Sequence, residues 1–222
     1  MSAIRRMMMG SRKSGYGYVT DGLIFHLDGI DKGTADTSKW VDLVGGITFT
    51  EAGGTSVHGT NCINLTDTQR LVGDSMPATI AASTHTIEMA ASRSTNSNWT
   101  FFFTTKSDGV ALYFNSGKNL CGGLGNGTYC TTKSYYFTGN FVVSAANSVF
   151  IVDGVSEATG ANAWGSRTTN YPVINSNALT SQSYSKNFDI YSVRIYNRLL
   201  TAAEMLQNQR VDNERFNLGL TI

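Results

Sequence analysis

Residues 188–216 read FDIYSVRIYNRLLTAAEMLQNQRVDNERF, a strand and a helix with a marked boundary between them. The stretch FDIYSVRIY (188–196) is the most apolar strand candidate in the chain and is rich in β-branched and aromatic residues. Its apolar parity shifts between Ile190 and Tyr191, as a bulge or burial on both faces would require. Just after it, Thr201 and Glu204 form a capping box: the Thr201 hydroxyl accepts from the Glu204 amide, and the Glu204 carboxylate reaches back to the cap. Leu200 and Met205 stand where a hydrophobic staple closes the same turn. A short helix over about 202–213 is expected.

Upstream of this ending the chain reads as strands. GLIFHLD (22–28) alternates Leu23, Phe25 and Leu27 with Ile24, His26 and Asp28. Further candidates are 84–90, 99–104, 110–114, 140–145 and 148–152, each short and bounded by Gly, Asn, Ser or Asp. Asp153–Gly154, between FIV and VSE, is a strong two-residue hairpin signal because both turn positions need positive φ. Many short strands at this spacing predict an all-β fold, an antiparallel sandwich carrying a short C-terminal α-helix. With no internal repeat and no dividing linker, the organisation is a basic tail (1–14) and one domain (15–222).

Composition agrees. The 222 residues suit one large domain with a core that needs no staple. Charged residues are 15%, with 23 Gly, 10 Tyr and 11 Phe, which is too aromatic for disorder and too poor in helix formers for an α protein. Lys and Arg total 17 against 16 acids, which argues against a nucleic-acid partner. The charge is uneven: residues 1–13 hold Arg5, Arg6, Arg12 and Lys13 with no acid, beside Met7, Met8 and Met9. These methionines are too short a run for the apolar region of a secretory signal, and no apolar run is long enough to span a membrane, so a soluble, cytoplasmically made chain is expected. Cys62, Cys121 and Cys130 are read as free thiols in a reducing compartment, although a turn at GGLGNGTY would bring Cys121 and Cys130 opposite each other.

Two segments carry a family resemblance: YVTDGLIFHLDGIDKG (18–33) with Trp40, Asp42, Leu43 and Gly45–Gly46, and IYSVRIYNRLLTAAEMLQNQRVDNERF (190–216). Together they resemble the laminin-G-like, concanavalin A-like jelly-roll domains of the lectin–glucanase superfamily, in a form similar to members encoded by phages of gut bacteria. The resemblance implies that the closing strand pairs beside the opening one. Arg194 and Arg198 then project beside that pairing, with Asp28 or Asp212 to satisfy them in a structural ion-pair role. Trp40 is expected in a loop packed on the sandwich edge rather than as a sugar platform. The family often holds Ca²⁺ through Asp, but Asp28, Asp31 and Asp36 lack a D-x-D-x-D spacing and are read as solvated, so no cofactor is assigned.

The chemistry of catalysis is not apparent. Glucanases of this superfamily place paired carboxylates on an E-x-D-x-E strand, ~5–5.5 Å apart for a retaining mechanism. Glu51, Glu88, Glu157, Glu204 and Glu214 have no such neighbours, and serine-hydrolase, zincin and P-loop motifs are absent. CGGLGNG is read as a hairpin loop, and His26 and His85 as hydrogen-bonded structural residues. Sugars offer apolar faces to aromatic rings and hydroxyls to amides, so aromatic loops interleaved with Asn are the binding candidates: Trp164, with Trp99, Tyr135 and Asn126. The expected function is a non-enzymatic carbohydrate-binding or structural module on a phage virion, as capsid decoration or a fibre-type protein contacting host-surface glycans. The alternatives are a secreted bacterial adhesin and a glycan-cleaving enzyme. Arg5, Arg6, Met8 and Arg12 would anchor the tail to other virion proteins or to a second copy.

Overall fold

The computed structural model describes residues 17–75, 85–94, 100–104, 110–124, 127–135, 138–162, 172–176 and 186–222. In chain order the strands are β1 (Leu23–Asp28), β2 (Lys39–Val41), β3 (Thr48–Glu51), β4 (Ile63–Leu65), β5 (Leu71–Gly73) and β6 (Thr86–Arg93). Next come β7 (Thr100–Thr104), β8 (Val110–Phe114), β9 (Asn119–Leu124), β10 (Gly127–Ser134) and β11 (Gly139–Ala146). The remainder are β12 (Val149–Val152), β13 (Val155–Glu157), β14 (Thr159–Asn162), β15 (Val173–Ile174) and β16 (Phe188–Tyr196), followed by helix α1 (Ala202–Phe216). They make the expected sandwich of two antiparallel sheets. One is ordered β1-β16-β6-β11-β12-β13 with β4 also on β16, and the other β14-β10-β9-β8-β7-β15-β5-β3-β2.

The opening and closing strands pair, with Phe25 opposite Ile195 and Leu27 opposite Val193. Against β6, Ile190 lies opposite Ala91 and Ser192 opposite Ala90, so Tyr191 is the extra residue of a bulge at the expected parity shift. Between the sheets, Phe25, Phe49, Phe102, Phe103, Phe114, Phe141 and Phe188 form the aromatic heart of the core. Their rings meet edge-on or tilted, as their quadrupoles favour, with Phe25 5.9 Å from Phe49 and Phe102 5.3 Å from Phe188. The Asp153–Gly154 turn has φ of 49° and 80°, the two left-handed positions its sequence calls for.

Three expectations are corrected. Trp40 is in strand β2 and fully buried, its indole N–H donating to the Asp28 carbonyl at 3.0 Å, so it belongs to the core and not to an edge loop. The glycines at 122 and 123 belong to strand β9 rather than to a loop. A Cβ at Gly122 would come within 2.9 Å of the Phe150 ring, so glycine there lets the two sheets close on each other. Cys121 and Cys130 form a disulfide, because the β9–β10 register sets them directly opposite each other. Cys62 is the free cysteine.

Helix α1 lies across β6, β11, β12 and β16, on the face of their sheet away from the other sheet. Its start is as expected: Glu204 N–H donates to the Thr201 hydroxyl at 3.3 Å, and Thr201 N–H to the Glu204 carboxylate at 2.8 Å. Leu200 and Met205 share an apolar cluster with Ala146, Ile151 and Tyr196. The helix runs beyond the expected end to Phe216, where left-handed Asn217 stops it and Phe216 and Leu218 pack on Ala90 and Val142. Thr201→Ala should lower stability by about 0.5–2 kcal/mol, read as a shifted urea midpoint. An unshifted midpoint would show that the cap is energetically idle.

Candidate functional site

Two groupings of polar side chains stand out, one sealed and one open. The sealed one lies under α1. Arg194 of β16 is fully buried and donates to both Asp212 oxygens, at 2.8 and 2.5 Å, and through Nε to Glu88 at 3.1 Å. Glu88 of β6 also accepts from Ser144 at 2.9 Å and from Asn208 at 2.7 Å. Tyr18 donates to Asp212 at 2.7 Å, and its ring lies 4.2 Å from the Arg194 guanidinium. Asp28 of β1 pairs with Arg215 at 2.8 Å and accepts the amides of Ile30 and Asp31.

His26 shares this layer, fully buried, with neither ring nitrogen hydrogen-bonded among the described residues. Burial, then the Arg194 and Arg215 charges, hold its pKa well below the ordinary value. Burial raises Glu88 to about 7 against the pull of Arg194. The ion-pair expectation holds for Arg194 with Asp212. Arg198 instead pairs with Glu204 at 2.6 Å and Asp21 at 2.9 Å, while Asp28 takes Arg215. Two readings are corrected: the His26 ring makes no hydrogen bond among the described residues, and Asp28 is not a solvated loop carboxylate but is buried at the end of β1 and paired with Arg215 of α1. Arg194, Glu88, Asp212 and His26 are all buried, which fits a structural cluster.

The open grouping lies where the chain leaves one sheet for the other. After the Asp153–Gly154 turn, β13 ends the first sheet, and Ala158 accepts from Thr132 N–H at 2.9 Å before β14 joins the second. This corner leaves a depression of about 390 Å³, lined by Lys133, Ser134, Tyr135, Val152, Asp153, Val155 and Glu157. Val155 and Glu157, two apart on one strand, face the same side. The Lys133 ammonium stands 3.5 Å from the Glu157 carboxylate and 5.2 Å from the centre of the Tyr135 ring. Val155 is 58% exposed, while Tyr135 is buried against Phe114. Burial, then the Glu157 carboxylate, push the Tyr135 phenol up, and burial raises the Asp153 carboxyl. Asp153 accepts the Val142 amide at 2.8 Å, which fixes the turn that supports Val155.

A second depression, of about 310 Å³, is lined by Glu51, Gly53, Thr55, Thr68, Gln69 and Arg70. Its carboxylate already accepts the Gly53 and Thr55 amides and the Thr55 hydroxyl, so it holds a turn.

Of the expected sugar-binding residues, Trp164, Trp99 and Asn126 lie outside the described residues, as do Arg5, Arg6, Met8 and Arg12 of the tail. Tyr135 is a buried floor residue of the open depression rather than an exposed loop platform. Lys133, Val155 and Glu157 were missed, because a corner between sheets joins segments that show no common motif. The Asp–Gly turn was the one available pointer. Among the described residues, no group of three or more His, Cys, Asp or Glu side chains could hold a metal ion.

No protein-family model matches the chain, and no curated protein matches it either. Solved structures do. A Trypanosoma rangeli sialidase in complex with sialic acid superposes with a TM-score of 0.60 at 15% identity, over 89% of this chain and 34% of that one. The binding domain of botulinum neurotoxin serotype D/C VPI 5993 gives 0.61 at 13% identity, over 87% of this chain and 52% of the other. The likeness is one of fold. The chain therefore shares a jelly-roll-like β-sandwich with parts of these proteins, spanning about a third of the sialidase chain and half of the toxin domain.

Proposed function

We propose that the chain is a non-enzymatic carbohydrate-binding module that holds a sugar in the depression between β10 and β13. The observation that carries this is the composition of that corner. Lys133 and Glu157, 3.5 Å apart, offer a donor and an acceptor side by side next to an apolar floor of Val152, Val155 and Tyr135, which is the pairing a sugar's hydroxyls and C–H face need. The shared fold adds support for a binding role, since one neighbour is the binding domain of a toxin. A hydrolytic role is less well supported, because the two carboxylates lining the depression already have structural partners: Asp153 the Val142 amide and Glu157 the Lys133 ammonium.

The setting we propose is the surface of a phage particle, where residues 1–14 anchor the module to other virion proteins and the corner faces host glycans. A secreted bacterial adhesin is the alternative. The Cys121–Cys130 disulfide favours an oxidising destination, which suits both.

A glycan array with wild type and Glu157→Ala, plus incubation with a polysaccharide panel, tests the module. Binding without cleavage, weakened ~10-fold or more by the substitution at unchanged stability, is expected. Turnover lost on substituting Asp153 or Glu157 would overturn the non-enzymatic reading.

A further inference from the structure

The geometry points to a single neutral pyranose unit with adjacent free hydroxyls as the occupant of the β10–β13 depression, to the exclusion of sialylated or sulfated ends. This rests on the reading of that corner as a glycan site and narrows it to one chemical class.

Charge is the first argument. Among the described residues, Lys133 is the one cation lining the depression, and it already faces Glu157 at 3.5 Å, while Asp153 lines the same space. One ammonium against two carboxyl groups leaves no surplus positive charge for an anionic ligand. A carboxylate or sulfate entering here would approach the carboxylate of Glu157, whose side chain is only 11% exposed and is screened poorly. Built anion sites in proteins instead present unpaired arginine or clustered backbone N–H groups.

Hydrogen-bond capacity is the second. A carboxylate has two oxygens and about four lone-pair positions, so Glu157, which already engages Lys133 and the Tyr135 hydroxyl, keeps positions for two adjacent sugar hydroxyls. The Lys133–Glu157 separation of 3.5 Å, longer than a charge-assisted hydrogen bond of about 2.8 Å, lets a hydroxyl accept from the ammonium while donating to the carboxylate. Lys133 is 62% exposed in its side chain and can swing to a ring or glycosidic oxygen. Glu157 is the fixed partner and sets the orientation.

Shape is the third. Val155, at 58% exposure, presents aliphatic surface beside the buried Val152 and Tyr135 of the floor, matching the C–H face of a pyranose. A volume of about 390 Å³ lies near the lower end of small-ligand sites, roughly 300–1,000 Å³, which suits one terminal sugar and not a long chain.

The test uses the full chain on an array of glycans with shared inner chains that end in neutral hexose, sialic acid or sulfated hexose, followed by titration with methyl hexosides. Three variants accompany it: Glu157→Gln, Lys133→Ala, and Asp153→Asn with Glu157→Gln. Asn tolerates the positive φ at residue 153 and keeps an oxygen for the Val142 amide, and a thermal midpoint checks that each variant folds. Wild type should bind neutral ends alone. Glu157→Gln should lose ~10-fold or more, and the double variant, with Lys133 left uncompensated, should acquire acidic ends. Wild-type binding of sialylated or sulfated ends, lost in Lys133→Ala, would overturn the neutral class and leave the site standing. No glycan binding, or binding that all three variants leave unchanged, would overturn the site and this inference with it.

Discussion

Arg194→Met should cost about 3–5 kcal/mol of stability, because it removes the one cation shared by Glu88 and Asp212 and strands both carboxylates under α1. Every nitrogen of the guanidinium is engaged: Nε by Glu88, Nη1 by Asp212 and Ser192, and Nη2 by Asp212. Its face also lies against Tyr18, which in turn donates to Asp212, so the loss spreads to the segment entering β1. The expected loss is a large share of the 5–15 kcal/mol typical of a domain, so the urea midpoint should fall steeply. Arg194→Lys keeps the charge without the fork and should lie between the two. A third protein, with Arg194→Met, Glu88→Leu and Asp212→Leu combined, should recover much of the loss, since apolar replacement of a whole buried ion cluster is often neutral. Urea midpoints and slopes of the three decide the matter. If Arg194→Met unfolds at the wild-type midpoint, the cluster is not what holds α1 to the sheet.

The physics of this region explains how much could be read from the sequence. The β16–α1 unit was legible because its signals are local: the parity shift at Ile190–Tyr191, the Thr201–Glu204 box and the Leu200–Met205 staple all lie within one segment. The pairing of β1 with β16, and Asp28 or Asp212 as partners for Arg194 and Arg198, came from the resemblance of the two chain ends; the structure selects Asp212 for Arg194. Glu88 was not legible, because it lies 106 residues from Arg194 and reaches it only through the β6–β16 register. Polar residues such as Asp212 and Arg215 hid the last turn of α1, since their partners lie inside the protein. Lys133 and Glu157 were hidden for the same reason as Glu88: their juxtaposition is made by the crossing between sheets. The cysteines show a different limit. The turn between them is visible in the sequence, but compartment chemistry argues for free thiols, and only the strand register sets them opposite each other.

Acidification below pH 6.5 should change the stability contributed by the α1 cluster through two titrations of opposite sign that offset each other. The groups facing this layer are Tyr18 from the entering segment, His26 and Asp28 on β1, Glu88 on β6, Arg194 on β16, and Asp212 and Arg215 on α1. His26 has its folded pKa lowered below 6.5, by burial first and then by Arg194 and Arg215. Asp28, 3.8 Å away, does not reverse this, because its carboxylate is bonded to Arg215. The unfolded chain therefore binds the His26 proton first, and stability falls as pH drops below 6.5. Glu88 has its folded pKa raised from 4.5 to about 7, so the folded chain binds that proton first, and stability rises as pH drops from about 7 to 4.5. The Glu88 contribution has a slope on the order of 1 kcal/mol per pH unit, and the His26 contribution opposes it. Removing one partner uncovers the other. Relative to wild type, Glu88→Gln should lose stability steadily from pH 6.5 to 4.5, and His26→Gln should gain it over the same range. The measurement is the urea midpoint of the three proteins at pH 7, 6 and 5. Using differences from wild type removes the contribution of exposed carboxylates such as Asp36, which titrate alike in all three. Parallel curves for the three proteins would show that neither buried group changes its proton occupancy on folding, and the compensation would be refuted.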